Sequence, residues 1–301
     1  LPFLPVSFGL RLTAPAAQAQ SKNGVFPAAG SPANPKVHAT WNHYNNYQGI
    51  TDLTQKMVQA YPNLIKRQSI GKSYEGRDMW LLTISNFKVG DADRKPAMYI
   101  DGNIHSNEIQ GAEVALYTAW YLTEMFGKNE FITELLNEKT FYIVPTINPD
   151  ARENFFDAPN NANSPRSGMK PIDDDMDGKV NEDKYDDLNG DGSITLMRRK
   201  NPRGGFRENP KYPELMQRVG PDEFGDYELL GYEGIDNDGD GRINEDGEGY
   251  YEPNRDWGWN WQPDYIQRGA HKYPFSLPEN RAVKDFVMAH PNIAAAQSYH
   301  N

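Results

Sequence analysis

PAMYIDGNIHSNEIQGAEVALYTAWYLTEMF, residues 96–126, decides the fold. It begins with a short apolar run, 96–102, of the kind that forms a buried strand. A polar turn follows, carrying His105 and Glu108 three positions apart. From 108 to 126 apolar residues return on one face at helical spacing. Strand, turn and helix in this order are the unit of an α/β protein. The turn between them is where such proteins place ligands.

Working outward, the same alternation continues. TDLTQKMVQAYPN (51–63) has helical spacing at Leu53, Met57 and Val58, with Thr51 as the expected N-cap. LIKRQSIGKSYEGRDMWLLTISN (64–86) predicts two strands around a turn at Ser73–Gly76, and TFYIVPTIN (140–148) another strand. ENRAVKDFVMAH (279–290) predicts a helix and NIAAAQSYH (292–300) a last strand. The expectation is an α/β fold, a mixed, mostly parallel sheet with helices on both faces. His105 and His300 both fall at carboxyl ends of strands, where ligands gather in such sheets. Between 152 and about 275 the pattern gives way to Asn, Gly, Pro and Asp. A loop of that length needs something other than a core to organise it.

Composition narrows the chemistry. The chain has 301 residues, 38% of them hydrophobic, which is enough for one large core or two small ones. No apolar run reaches the roughly 20 residues that span a bilayer. There is no cysteine, so disulfides, thiolate zinc sites and a cysteine nucleophile are excluded. A transition metal must therefore rest on Asp, Glu or the histidines at 38, 43, 105, 271, 290 and 300. The net charge of -11 is local. Residues 171–190 carry a net of -6 and residues 236–252 another -6, leaving the remainder nearly neutral. No basic stripe exists to recruit nucleic acid. LPFLPVSFGLRLTAPAAQAQ (1–20), with Ala17-Gln18-Ala19 fitting an A-x-A cleavage site, reads as the remnant of a signal peptide. With the polar linker behind it, this accounts for residues 1–38, and the expected compartment is secreted or periplasmic.

Taken alone, His105-x-x-Glu108 leaves two readings open. One is a metal site needing a third ligand from elsewhere, for which His300 is placed. The other is a polar turn in which Glu108 serves the helix dipole. The surroundings bear on the choice. YPNL (61–64), SIGKSYEGRDMWLLTIS (69–85), DGNIHSNEIQG (101–111), TFYIVPTINPD (140–150), LMRRK (196–200), PNRDW (253–257) and AAAQSYHN (294–301) occur in one order. Together they closely resemble the zinc carboxypeptidase family, the carboxypeptidase A-like metallopeptidases. The resemblance covers roughly 41–151 and 250–301, with LMRRK as an island between.

The resemblance implies zinc held by His105, Glu108 and His300. It implies that Arg198 stabilises an oxyanion, and that Asn254 and Arg255 hold a substrate's terminal carboxylate, for which a planar guanidinium fork is suited. The implied activity is hydrolysis of the C-terminal bond of a peptide or protein with a free C-terminus. A same-scaffold amidase or deacylase, and a calcium-binding extracellular module with a vestigial zinc site, are the alternatives. Asn107 and Ala151 depart from the family's usual Arg and Gly. The family's general-base Glu and capping Tyr lie beyond its last zinc ligand. With the chain ending one residue after His300, residues 39–301 are expected to be an incomplete catalytic domain.

The acidic part repeats itself. IDDDMDGKVNED (172–183) and IDNDGDGRINED (235–246) align without a gap. Asp173, Asp175, Asp177 and Asp183 in the first match Asp236, Asp238, Asp240 and Asp246 in the second, around a glycine that permits a sharp turn. DDLNGDGSIT (186–195) adds Asp187, Asn189 and Asp191, and Glu182 and Glu245 could contribute bidentate contacts. Clustered oxygen ligands of this kind suit calcium. The expectation is structural calcium in insertions at about 172–195 and 235–246, with an ion in each repeated loop. The flanks lack the paired helices of an EF-hand.

Overall fold

The computed structural model describes residues 30–161, 166–249 and 251–301. In chain order the elements are α1 (Tyr47–Ala60), β1 (Ile65–Lys72), β2 (Asp78–Ile84), β3 (Ala97–Gly102), α2 (Ile109–Met125), α3 (Glu130–Glu138), β4 (Thr140–Val144) and α4 (Pro149–Asp157). Then come β5 (Asn160–Asn161), β6 (Ser193–Ile194), β7 (Leu196–Gly204), β8 (Phe206–Glu208), β9 (Met216–Arg218), β10 (Gly225–Tyr232), α5 (Pro278–Ala289) and β11 (Ile293–Tyr299). No helix among the described residues is long and apolar enough to cross a membrane.

The main sheet runs β1-β2-β4-β3-β11. Its inner strands β2, β4 and β3 are buried on both faces, and side-chain alternation shows how. Leu82, Ile84, Ile100 and Ile143 face a core completed by Met57 of α1, Ala115, Ala119 and Trp120 of α2, and Leu136 of α3. Met79, Leu81, Ala97, Tyr99, Tyr142 and Val144 point the other way, against Ala282, Val283 and Phe286 of α5. Helices therefore cover both faces, as the alternating pattern predicts. The pairing itself is evenly mixed: β3 is parallel to β4 and β11, while β1–β2 and β2–β4 are antiparallel. The tight turn after β1 forces the first of these, because parallel neighbours need a long crossover.

Local signals explain the other differences from expectation. α1 starts earlier than Thr51, because Asn46 caps it by accepting from the Gly49 amide at 3.0 Å. Thr51 instead accepts from Trp80 Nε1 at 2.9 Å. In NPDA, which reads as a turn, Asn148 is the cap and Pro149 occupies the first turn of α4. α3 likewise begins on an Asn129 cap. The irregular stretch after 152 contains a second sheet, β7-β10-β8-β9. Most of its strand residues are exposed, so it left little hydrophobic alternation to read.

Two glycines set how closely α2 meets the sheet. A Cβ on Gly102 would lie 2.6 Å from the Gly111 carbonyl oxygen, and one on Gly111 would lie 3.0 Å from that of Tyr299. The first turn of α2 thus presses directly on the ends of β3 and β11. Placing a methyl group in that contact is overpacking. We expect Gly102→Ala to cost about 1–3 kcal/mol. This would be read as a lower urea midpoint at unchanged slope. An unchanged midpoint would show that α2 can step back freely.

Candidate metal centre

The centre is built on the turn between β3 and α2. Asn103, fully buried with φ +56°, holds this turn in shape. A left-handed backbone is one that Asn tolerates better than most residues. Its Nδ2 donates to the carbonyls of His105 at 2.8 Å, Ser106 at 3.1 Å and Glu108 at 3.3 Å. Its Oδ1 accepts from Arg152 Nη1 at 2.9 Å. β11 lies parallel to β3 with Tyr299 opposite Gly102, so His300 emerges beside the same turn.

The three residues converge. His105 Nδ1 is 2.9 Å from Glu108 Oε1, His300 Nδ1 is 2.8 Å from Glu108 Oε2, and the two Nδ1 atoms are 3.2 Å apart. A tetrahedral zinc with bonds near 2.1 Å separates its ligands by roughly 3.4 Å. The donor triangle is slightly tighter than that, so small outward movements would accommodate an ion. Two imidazoles and a carboxylate are also the donor chemistry of catalytic zinc. Burial works to raise the Glu108 carboxyl, but its bonds to His105 and His300 outweigh it and hold the group below its usual range. It is thus ionised and ready to ligate.

Two further residues join the centre that motif reading did not single out. Glu252 Oε1 contacts His105 Nε2, the nitrogen turned away from the triangle. Burial tends to raise Glu252, yet His105, Arg166 and Arg255 hold it below its usual range. A carboxylate there fixes the imidazole tautomer, leaving Nδ1 as the ligand atom. The signal was available in its position two residues before Asn254. Arg166 reaches Glu108 Oε1 at 3.2 Å and His105 Nδ1 at 3.1 Å. Half-exposed, its guanidinium can swing into solvent when a cation binds. No local pattern in SPRSG marks it.

The remaining expected residues divide. Asn254 and Arg255 sit in the short helical turn Pro253–Arg255 that follows Glu252, beside the triad. Trp257 Nε1 donates to Asn254 Oδ1 at 3.0 Å, which fixes the orientation of the Asn254 amide. Arg198 lies on β7, paired with Glu208 at 3.1 Å and packed over Tyr227. In the acidic loops Asp173 Oδ2 accepts from the Gly178 amide and Asp236 Oδ2 from the Gly241 amide, each at 3.0 Å. These two aspartates fold their loops. Asp175, Asp177, Asp238 and Asp240 come together with Glu182 and Glu245 in groups drawn from both loops rather than one per loop. Asp183 and Asp246 are buried behind them, linked by a β-bridge. Asp187 and Asn189 accept from backbone amides of their own turn, and Asp191 from that of Ser193. Among the described residues this third loop enters no such group.

Glu252→Gln keeps the volume but weakens the hold on His105. We expect zinc affinity to fall about 10–100-fold, measured by chelator competition on the folded protein. Unchanged affinity would show that Glu252 does not orient the ligand.

Comparison with known proteins bears on the part of the chain that carries His105 and Glu108. The sequence profile of the zinc carboxypeptidase family matches residues 50–190. A zinc carboxypeptidase of Saccharothrix mutabilis subsp. capreolus is 34% identical over 111 residues, 36% of this chain and 25% of that protein. Carboxypeptidase B of Astacus astacus is 37% identical over 111 residues, 36% of this chain and 34% of that protein. The chain thus spans about a quarter to a third of the length of these two relatives. In fold it resembles the crystal structure of carboxypeptidase A from Helicoverpa armigera, with TM-score 0.54 and 18% identity over 91% of this chain and 50% of that one. Profile, relatives and fold agree: residues 50–190 match the zinc carboxypeptidase family, and the chain resembles a carboxypeptidase in fold.

Proposed function

We propose that the protein is a zinc metallocarboxypeptidase that removes the C-terminal residue of peptides or proteins. The observation that carries this reading is the convergence of His105, Glu108 and His300. Behind the triad Glu252 holds His105, and Asn254–Arg255 lie in the adjoining turn. His105, Glu108 and His300 would hold the ion. Bound zinc would polarise the scissile carbonyl and activate a water. Asn254 and Arg255 would take the substrate's terminal carboxylate, the guanidinium binding it bidentately. That clamp separates a carboxypeptidase from an amidase or deacylase on the same scaffold.

Two guanidiniums are available to steady the developing oxyanion. Arg198 carries the motif, and its exposed pairing with Glu208 is of the kind worth about 0–1 kcal/mol, so it is not locked. Arg166 already lies against the triad. The acidic loops supply a second reading, structural calcium. It is supported by their duplicated turns and by the carboxylates they gather. Calcium loops and the A-x-A segment together support a secreted or periplasmic location. That segment lies outside the described residues.

The test uses zinc-loaded protein expressed from its complete reading frame. We expect hydrolysis of a peptide with a free C-terminus and little of its C-terminal amide, with loss of activity in His300→Ala. Equal cleavage of both peptides would favour the amidase reading. Alanine at the arginine that serves the oxyanion should cost about 10²–10³-fold in kcat, and alanine at the other should cost little. For localisation, mass spectrometry of the native protein should find residues 1–19 removed. Their retention would refute export by this route.

A further inference from the structure

Outside the His105 centre, the described groups of carboxylates close enough to share an ion lie in the acidic loops. They form two overlapping groups. One is Asp175, Asp238, Asp240 and Glu245, and the other is Asp175, Asp177, Glu182 and Asp238, each with ligand atoms within 4.8 Å of one another. Asp175, Asp177 and Glu182 occupy the same places in the first loop as Asp238, Asp240 and Glu245 in the second. The groups therefore exchange under a local two-fold. Its centre is marked by the antiparallel bridge in which the Asp246 amide donates to the Asp183 carbonyl at 3.2 Å.

A second observation lies beneath this cluster. Asp183 and Asp246 are 1% and 0% exposed. Asp183 Oδ1 accepts from Asn237 Nδ2 at 3.1 Å, and Asp246 Oδ1 accepts from the Asp174 amide at 3.0 Å. The Oδ2 of each has no hydrogen-bond partner among the described residues. These carboxylates face the groups above: Asp246 lies against Glu182 and Asp183 against Glu245. All four carboxylate oxygens of Glu182 and Glu245 are also shielded from solvent without a donor, although the loops lie at the surface. Anions packed on anions with no donor between them call for a cation.

We propose that the two loops jointly bind a pair of divalent hard cations, calcium by preference, in cages that share Asp175 and Asp238. The proposal rests on the calcium reading given above and replaces one ion per isolated loop with a coupled pair. The donors are all carboxylate oxygens, with no nitrogen or sulfur to favour zinc. Four carboxylates per cage offer the high, flexible oxygen count that calcium accepts and magnesium does not. Two divalent ions, together with Lys179 on Asp177 and Arg242 on Asp240, would balance the six carboxylates. Because the loops flank residues 184–234, the ions would clasp both ends of the segment that carries the second sheet.

The test is calorimetric titration of chelator-stripped full-chain protein with calcium, comparing wild type, Asp175→Asn and Asp238→Asn. We expect two ions per chain, and at least a ~10-fold loss of affinity at both sites from either single substitution, since ligand charge sets affinity. Asp187→Asn in the third loop and His105→Ala in the zinc centre should leave the isotherm unchanged. Weakening of one ion with the other untouched would overturn the sharing while leaving the calcium reading intact. No binding at millimolar calcium would overturn both. Far-UV circular dichroism checks that each variant folds. If neither shared-site variant does, the wild-type isotherm decides: cooperative uptake supports the coupled pair, and two independent sites overturn it.

Discussion

The buried guanidinium of Arg152 is the contact on which the geometry of the metal centre depends. It is 0% exposed and donates to Asn103 Oδ1, to the Ile109 and Asn45 carbonyls, and to Glu113 at 2.7 Å. A charge so placed is tolerable only while fully paired, and removing one partner of a buried pair costs about 3–5 kcal/mol. Every partner belongs to the apparatus around the site. Asn103 shapes the ligand turn, Ile109 opens α2, and Asn45 precedes the cap of α1. One side chain on α4 therefore registers three separate segments against each other. The left-handed backbone at Asn103 persists because these bonds over-determine it.

The sheet supplies the rest of the positioning. Strands buried on both faces cannot slip by one residue without turning a whole row of side chains to the wrong core. β11 pairs in parallel with β3 up to Tyr299 opposite Gly102, and His300 arrives beside the His105 turn although 195 positions separate them. Helix α5 covers one face and α1, α2 and α3 the other.

What was legible in the sequence was local. The period change within residues 96–126 marks β3 and α2 because strand and helix bury different repeats. His105 and Glu108 were legible because they share one turn. Glu252 and Arg166 were not, since a carboxylate or guanidinium on a loop carries no period and its role exists only once the chain has folded. α4 was missed because Asn-Pro-Asp is turn chemistry and helix-cap chemistry at once. The duplication of the acidic loops was plain, yet their mutual packing was not, as equivalence between two segments does not say whether they touch. The second sheet escaped because exposed strands have no reason to alternate.

Among the described residues β11 pairs with one strand, β3, and residues 294–298 are exposed. His300 follows directly. Only the docked form presents all three ligands, so the apparent metal dissociation constant equals the intrinsic one divided by the docked fraction. By reciprocity, an ion at the triad slows amide exchange along β11. An ion held at the triad would therefore act as a mechanical latch between β11 and the turn after β3.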